Sequence, residues 1–216
     1  IIENMNPTGY PQGHALLIGV ANYQQKSSLP TAILNVVNDV AATLSSPTYC
    51  AYAPSNVVTL LDANATRAAV LKGLDELAAR AGPDDTVCVF FSGHGAIVGS
   101  PGNEDSVLVT VDSDINDIEN TTISSDEFAA ALAQIKAKRL LVFIDACHAG
   151  GAAISKSSTA GKGREFKSGY TANTFAKLAA GRGRALMASC RAAEVSAGFV
   201  GARDSLFTSA LLARLR

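Results

Sequence analysis

The chain has 216 residues, 48% of them hydrophobic and 17% charged, with a formal net charge of −1. This composition is typical of one globular domain with a sizeable core, and it gives no reason to expect a nucleic-acid or membrane partner. No stretch is apolar enough for a transmembrane segment, and no secretory signal pattern is present. The four cysteines include no C-x-x-C pair, which favours free thiols. We therefore expect a cytoplasmic protein.

Apolar runs of strand length alternate with helical patterns, which predicts an α/β domain with parallel strands. In chain order the predicted strands are 15–20, 57–61, 86–91, 140–144 and 184–189. Helices are predicted near 37–44, 67–81, 125–135, 173–180 and 206–211, from apolar stripes and from caps at Thr66 and Ser124. Residues 99–124 are predicted to be mainly loop, with one short strand or hairpin at 107–109.

Two of these strands end in reactive side chains beside glycine. One runs into Asp145-Ala146-Cys147-His148 and the other into Ser92-Gly93-His94-Gly95. Open α/β sheets bind and react at the carboxyl ends of their strands, so these segments are expected to meet. A cysteine nucleophile needs a base to form its thiolate, and a histidine supplies one near neutral pH. The pattern predicts a catalytic cysteine and histidine.

Position in the chain separates the three histidines. His148 adjoins Cys147, so the two side chains diverge, and His14 precedes the first strand, at the opposite edge of the sheet. His94 is therefore the predicted base, and the N–H groups of Gly95 and Cys147 are the predicted oxyanion donors. Two alternatives stay open: a buried structural thiol with a hydrogen-bonded histidine, and a zinc site made by Cys147, His148, His94 and Asp145.

The chain resembles the caspase-like cysteine peptidases of clan CD, and most of all the bacterial metacaspases, or orthocaspases. The spacing of His94 and Cys147 is close to the roughly 50 residues typical of caspases. The matching segments are Leu17-Ile18-Gly19-Val20 with Tyr23, Leu29-Pro30, Asn38-Asp39, Ser92-Gly93-His94-Gly95, Asp145-Ala146-Cys147-His148-Ala149-Gly150, Ala188-Ser189-Cys190 and Phe207-Thr208. The resemblance implies a caspase-hemoglobinase-like three-layer α/β sandwich, with a central, mostly parallel sheet of about six strands flanked by helices.

The resemblance also implies a division of the chain. Residues 1–13 are expected to be an N-terminal extension and 14–216 a single peptidase domain. Within it, the large-subunit-like part is about 14–150, a basic linker about 151–183, and the small-subunit-like part about 184–216. Because the first residue is not Met, we expect a piece of a longer chain that carries flanking sensor or effector domains. The resemblance to metacaspases also implies that the protein is a monomer.

Specificity is predicted from the residue two positions before the cysteine. Caspases place Gln there and bind an acidic P1 residue, whereas here Asp145 favours Arg or Lys. In metacaspases the matching Asp acts with the Asp of the Asn-Asp motif, here Asp39, and with a serine that matches Ser92. The basic segment after Cys147 predicts self-cleavage at Lys162 or Arg164, where Gly and Ser favour proteolysis.

We expect no required cofactor. Calcium is the one cofactor that metacaspases imply, and the weak candidates for its ligands are Glu104, Asp105 and Asp126. The expected partners are protein or peptide substrates with Arg or Lys at P1. Two alternatives to this peptidase stay open: a catalytically weak or inactive caspase-like scaffold in a bacterial immune or stress complex, and an Asp-specific caspase.

Overall fold

The computed structural model describes residues 11–25, 28–100, 103–114, 116–146, 171–181, 183–189 and 205–216. Cys147, His148, Lys162 and Arg164 lie outside the described residues, as does most of the predicted basic linker. Within the described ranges no helix is long and apolar enough to cross a membrane.

The described elements alternate between strands and helices. The strands are β1 (Gly13–Gly19), β2 (Val57–Leu61), β3 (Thr86–Ser92), β4 (Gly95–Ser100), β5 (Asn103–Leu108), β6 (Ile123–Ser124), β7 (Arg139–Asp145) and β8 (Arg184–Ala188). The helices are α1 (Ala32–Ser45), α2 (Arg67–Arg80), α3 (Ile118–Thr121), α4 (Ser125–Ala133), α5 (Ala172–Ala179) and α6 (Leu206–Leu215). Short 3-10 turns precede and follow β2.

The main sheet of the described chain has five strands in the order β2-β1-β3-β7-β8, and every neighbouring pair is parallel. Helices cover both of its faces. The face under α1 and α6 buries Leu17, Phe90 and Phe143, and the face under α2, α4 and α5 buries Leu16 and Val142. Strands buried on both sides have no polar face, which explains their continuous apolar runs.

This arrangement confirms the predicted α/β class, with a parallel sheet flanked by helices. The expected sheet had about six strands, whereas the described residues form five. β1 begins at Gly13, so His14 lies within the strand rather than before it. It still lies at the amino end, where its Nε2 is 3.2 Å from Asp85 Oδ2.

A second, antiparallel sheet follows directly after His94, in the order β4-β5-β6. The sequence predicted mainly loop over 99–124, with a short strand or hairpin at 107–109. That prediction was wrong for the end of β4, for most of β5 and for β6, and no prediction was made for the first part of β4. The β4–β5 hairpin is exposed at its tip, around Gly99 and Ser100, and its strands carry glycines and acids. Such residues are uncommon in strands and mask the alternating pattern that predicts one.

Candidate active site

The carboxyl edge of the main sheet carries Gly19, Ser92 and Asp145 side by side. Gly19 is in register with Ser92, and Ser92 with Asp145. Main-chain hydrogen bonds tie the strand ends together: the N–H of Val20 donates to the Ser92 carbonyl at 3.0 Å, and the N–H of Gly93 to the Asp145 carbonyl at 3.2 Å. From β1 the chain passes to β2 on one side and β3 on the other, and such a switch point is where open α/β sheets bind ligands.

His94 follows β3 and is 5% exposed. Its main-chain N–H donates to the phenol oxygen of Tyr23 at 2.6 Å, and its carbonyl accepts from the N–H of Val109 at 3.0 Å. The rings of Tyr23 and His94 lie with centroids 4.8 Å apart, tilted by 43°. The main chain of His94 is therefore fixed on both sides, between the loop after β1 and the strand end of β5.

Tyr23 is held in turn by the loop that carries it. Asp62 Oδ1 accepts from the N–H groups of Ala21 and Asn22 at 2.8 and 3.0 Å, and its Oδ2 accepts from Asn22 Nδ2 at 2.8 Å. Partial burial raises the pKa of Asp62, but these hydrogen bonds outweigh that effect and leave its pKa below the ordinary value. Asp62 has a φ of 44°, a conformation that few residues adopt and Asp tolerates. The end of β2 thus supports the loop that carries Tyr23.

Asp145 is fully buried and points to the face of the sheet under α6. Its Oδ2 accepts from Ser205 Oγ, and from Thr208 Oγ1 at 3.1 Å. Its Oδ1 has no hydrogen-bond partner within the described part of the chain, and neither does the buried Ser92 Oγ beside it. Buried polar atoms are nearly always paired, so these two neighbouring oxygens are candidates to accept or share a hydrogen bond with a ligand.

Asp39 lies in the second turn of α1 and is partly buried, between the buried Val36 and Val40. α1 packs closely against the carboxyl edge, since a Cβ on Gly19 would lie 2.7 Å from Val37 Cγ2. Asp39 therefore belongs to the turn of α1 next to the strand ends that carry Ser92 and Asp145. Its described main-chain contact is local: its carbonyl accepts from Thr43 Oγ1 at 2.8 Å.

Gly95 and Ala146 bring the two reactive segments together. A Cβ built on Gly95 would lie 3.0 Å from the Ala146 carbonyl oxygen. The residue after His94 therefore lies against the residue before Cys147. Only a small residue fits this approach without a shift of the chain.

Two of the three calcium candidates, Asp105 and Asp126, are engaged by other side chains. Asp105 Oδ1 accepts from Ser125 Oγ at 2.5 Å and from Thr174 Oγ1 at 3.0 Å. Asp126 Oδ1 lies 2.8 Å from Lys177 Nζ, so a positive charge already occupies that carboxylate. Within the described ranges no cluster of three His, Cys, Asp or Glu side chains could hold a metal ion. Paired in this way, Asp105 and Asp126 do not fit a resident calcium ion.

Four supporting residues were not predicted from the sequence as parts of the site: Tyr23 in its contact with His94, Asp62, Ser205 and Thr208. Tyr23 belonged to a matching segment of the family, but nothing in the sequence indicated its partner. Ser205-x-x-Thr208 has the form of a helix cap, and Ser205 does cap α6 by accepting from the N–H of Thr208. The contact of this cap with Asp145 joins positions distant in the chain, which no local pattern reports.

A parallel sheet with buried polar side chains at the ends of β3 and β7 defines a domain of the α/β class that reacts or binds at this edge. The family model described as the caspase domain, Peptidase C14, matches residues 12–216, and the chain belongs to this family of cysteine peptidases.

Among solved structures, the crystal structure of protein GSU0716 from Geobacter sulfurreducens is similar, with a TM-score of 0.53 and 28% sequence identity. The match covers 65% of this chain and 52% of that chain, so the present chain matches about half the length of that protein. No curated protein matches the sequence.

Proposed function

We propose that the chain is a cysteine endopeptidase of the metacaspase type that cleaves peptide bonds after Arg or Lys. The observation that carries this proposal is Asp145, a fully buried carboxylate at the carboxyl edge of the sheet whose Oδ1 has no partner among the described residues. A buried carboxylate oxygen without a donor favours a ligand that supplies one, as a guanidinium or an ammonium does, and the P1 side chain of a peptide is the ligand that a peptidase of this family would place there.

In this proposal Cys147 attacks the carbonyl carbon of the scissile bond and His94 takes the thiol proton. The N–H groups of Gly95 and Cys147 donate to the oxyanion. Collapse of this intermediate breaks the C–N bond, and the departing amine takes the proton from His94. Water then hydrolyses the thioester, with His94 again as the base. The close approach of Gly95 to Ala146 supports this, because it places the chain before Cys147 beside the chain after His94.

The P1 pocket in this proposal consists of Asp145, Ser92 and Asp39. Ser92 and Asp145 are register neighbours whose unpaired oxygens belong to the same edge. Asp39 adds a second carboxylate from α1, next to that edge. Two carboxylates match a guanidinium or an ammonium and repel an acidic P1 side chain, so an Asp-specific caspase is disfavoured.

Self-cleavage at Lys162 or Arg164 follows from the same specificity. The purified protein should yield two fragments, and Cys147→Ala should yield none. A Lys162→Gln, Arg164→Gln double variant should lose the cut and keep activity on peptides. If the wild type stayed uncut but still cleaved peptides, the self-cleavage hypothesis would be wrong and the proposed peptidase activity would stand.

The main test uses three fluorogenic peptides that differ only in Arg, Lys or Asp at P1. We expect the wild type to cleave the first two, Cys147→Ala and His94→Ala to cleave none, and Asp145→Asn to lose at least about tenfold in kcat/KM for both basic peptides. Turnover of the Asp peptide alone would indicate a caspase. No turnover of any peptide would favour the inactive scaffold.

A further inference from the structure

We propose that Ser205 and Thr208 are positioning residues for the carboxylate that recognises P1, and that they leave it a single oxygen for the substrate. This inference rests on the proposed function, since it assigns two further specificity-determining residues to the same pocket. It starts from the two oxygens of Asp145, which differ: Oδ2 accepts two hydroxyl hydrogen bonds and Oδ1 accepts none from the described residues.

Both hydroxyls come from the first turn of α6 and have a fixed direction. A hydroxyl has one proton to donate. Ser205 donates its proton to Asp145 and accepts the Thr208 N–H at 3.0 Å. Thr208 is fully buried and donates its proton to the same oxygen at 3.1 Å. The cap of α6 and the support of Asp145 are therefore one hydrogen-bonded unit.

The number of lone pairs on the Asp145 carboxylate oxygens determines which oxygen can accept a hydrogen bond from a ligand. A carboxylate oxygen has two lone-pair sites, and both sites of Oδ2 are taken by Ser205 and Thr208. The donors of a P1 side chain can then meet only Oδ1, beside Ser92 Oγ. A guanidinium cannot use both oxygens of Asp145 in the bidentate fork that Arg forms with a free carboxylate. Asp145 therefore binds a P1 Arg and a P1 Lys in the same way, through a single hydrogen bond to Oδ1.

The positive end of α6 adds to this arrangement. α6 runs from Leu206 to Leu215, and its first turn lies at the carboxylate. Unpaired N–H groups in the first turn of a helix favour a nearby anion. Together with the two hydroxyls they hold the Asp145 carboxylate in one orientation, in which Oδ1 has no donor from the described residues.

The chain contains a matched control at α5. Thr171 caps α5 and accepts the N–H of Thr174, and the fully buried Thr174 donates to Asp105 Oδ1 at 3.0 Å. Thr174 and Asp105 thus repeat the arrangement of Thr208 and Asp145 on the other face of the sheet. Thr174→Val removes the same kind of hydrogen bond away from the proposed pocket, and with it the acceptor of the Ser106 N–H.

The experiment compares the wild type with Thr208→Val, Thr208→Ser and Thr174→Val on the P1-Arg and P1-Lys peptides. Valine has the shape of threonine without its hydroxyl. Thr208→Val should raise KM on the order of tenfold for both peptides with kcat little changed, since the lost bond orients substrate binding. Thr208→Ser should restore the wild-type KM, and Thr174→Val should leave KM unchanged.

A double-mutant cycle of Thr208→Val with Asp145→Asn, measured by urea unfolding, tests the hydrogen bond without any substrate. We expect the two changes to be non-additive. An unchanged KM in Thr208→Val, in an enzyme that cleaves basic peptides, overturns this inference and leaves the proposed function standing. If the wild type cleaves neither basic peptide, both the proposed function and this inference are overturned, even if the double-mutant cycle detects the hydrogen bond between Thr208 and Asp145.

Discussion

The phenol oxygen of Tyr23 accepts the main-chain N–H of His94 at 2.6 Å. This contact joins the loop after β1 to the residue after β3, across the switch point of the sheet. Burial raises the pKa of Tyr23 far above its ordinary value, so the phenol stays neutral in any practical assay. The N–H of His94 is therefore already used, which agrees with the proposal that the oxyanion donor at this strand end is the N–H of Gly95.

Tyr23→Phe should weaken both the fold and the activity. It keeps the ring beside His94 and leaves the buried N–H of His94 without an acceptor, at a cost of about 1–3 kcal/mol. We expect the free energy of unfolding to fall by that amount in urea, and kcat to fall about tenfold because His94 loses its fixed position. The matched control is Tyr49→Phe, since Tyr49 is exposed. Equal kcat in both variants would contradict the positioning role of Tyr23.

Gly95→Ala should damage catalysis more than stability. Its Cβ would lie 3.0 Å from the Ala146 carbonyl oxygen and would displace either the chain before Cys147 or the proposed oxyanion donor. A displaced oxyanion donor lowers kcat on the order of a hundredfold. Gly73→Ala is the control, because its Cβ meets Leu16 at 3.1 Å, a similar crowding far from the site. If both variants kept full kcat, Gly95 would have no role in the oxyanion site.

Stability should fall in alkaline solution because of Cys88. Burial raises the pKa of this thiol to about 12, and the nearby Cys50 adds to the shift. In the unfolded chain a thiol ionises near pH 8.5, so between about pH 8.5 and 12 the unfolded state has lost a proton that the folded state keeps. Stability is fully present below this window and declines within it, by up to about 1.4 kcal/mol per pH unit.

Urea unfolding from pH 7.5 to 10.5 measures this slope. Cys88→Ala should be less stable at neutral pH and should show a shallower decline than the wild type. Cys50→Ala should flatten the decline less than Cys88→Ala does, because Cys50 is less buried although burial raises its pKa too. If the free energy of unfolding fell equally steeply with pH in the wild type and in Cys88→Ala, other groups would cause the decline. Tyr23 and Tyr52, whose pKa values are also raised, are the candidates.

A chelator should leave the activity unchanged. Asp105 is engaged by two hydroxyls and Asp126 by Lys177, so neither carboxylate is arranged for calcium. We expect the same kcat/KM in EDTA and in millimolar calcium. Lys177→Met makes the same comparison more sensitive, because it removes the ammonium group that would compete with calcium for Asp126. Strong activation of the wild type by calcium would show that this protein has a site beyond these residues.

Local patterns predicted the parts of the fold that depend on local interactions. All five predicted strands are present, within two residues at either end, and the caps at Thr66 and Ser124 hold their helices as expected. The hairpin after His94 was missed because its strands contain glycine, serine and acids, whose pairing is decided by neighbouring strands.

The site divides in the same way. His94 was selected because it follows a strongly apolar strand, whereas Asp145 and Ser92 were selected by comparison with the P1 pockets of caspases and metacaspases. The sheet places Ser92 and Asp145 in register. The supports of Asp145 could not be found from the sequence, since Ser205 and Thr208 lie about 60 residues further on. Contacts of that separation depend on how α6 packs, which only the folded chain determines.

The parallel pairing of β7 with β8 has a consequence for a cut chain. A break in the segment between these strands removes neither the β7–β8 pairing, from Leu140–Arg184 to Ile144–Ala188, nor the hydrogen bond of α6 to Asp145. The product is then a noncovalent heterodimer in which one polypeptide carries Asp145 and the other carries the hydroxyls that orient it. Its activity would depend on protein concentration, because dissociation on dilution would separate the anion from its donors, whereas the uncut chain would be indifferent to dilution.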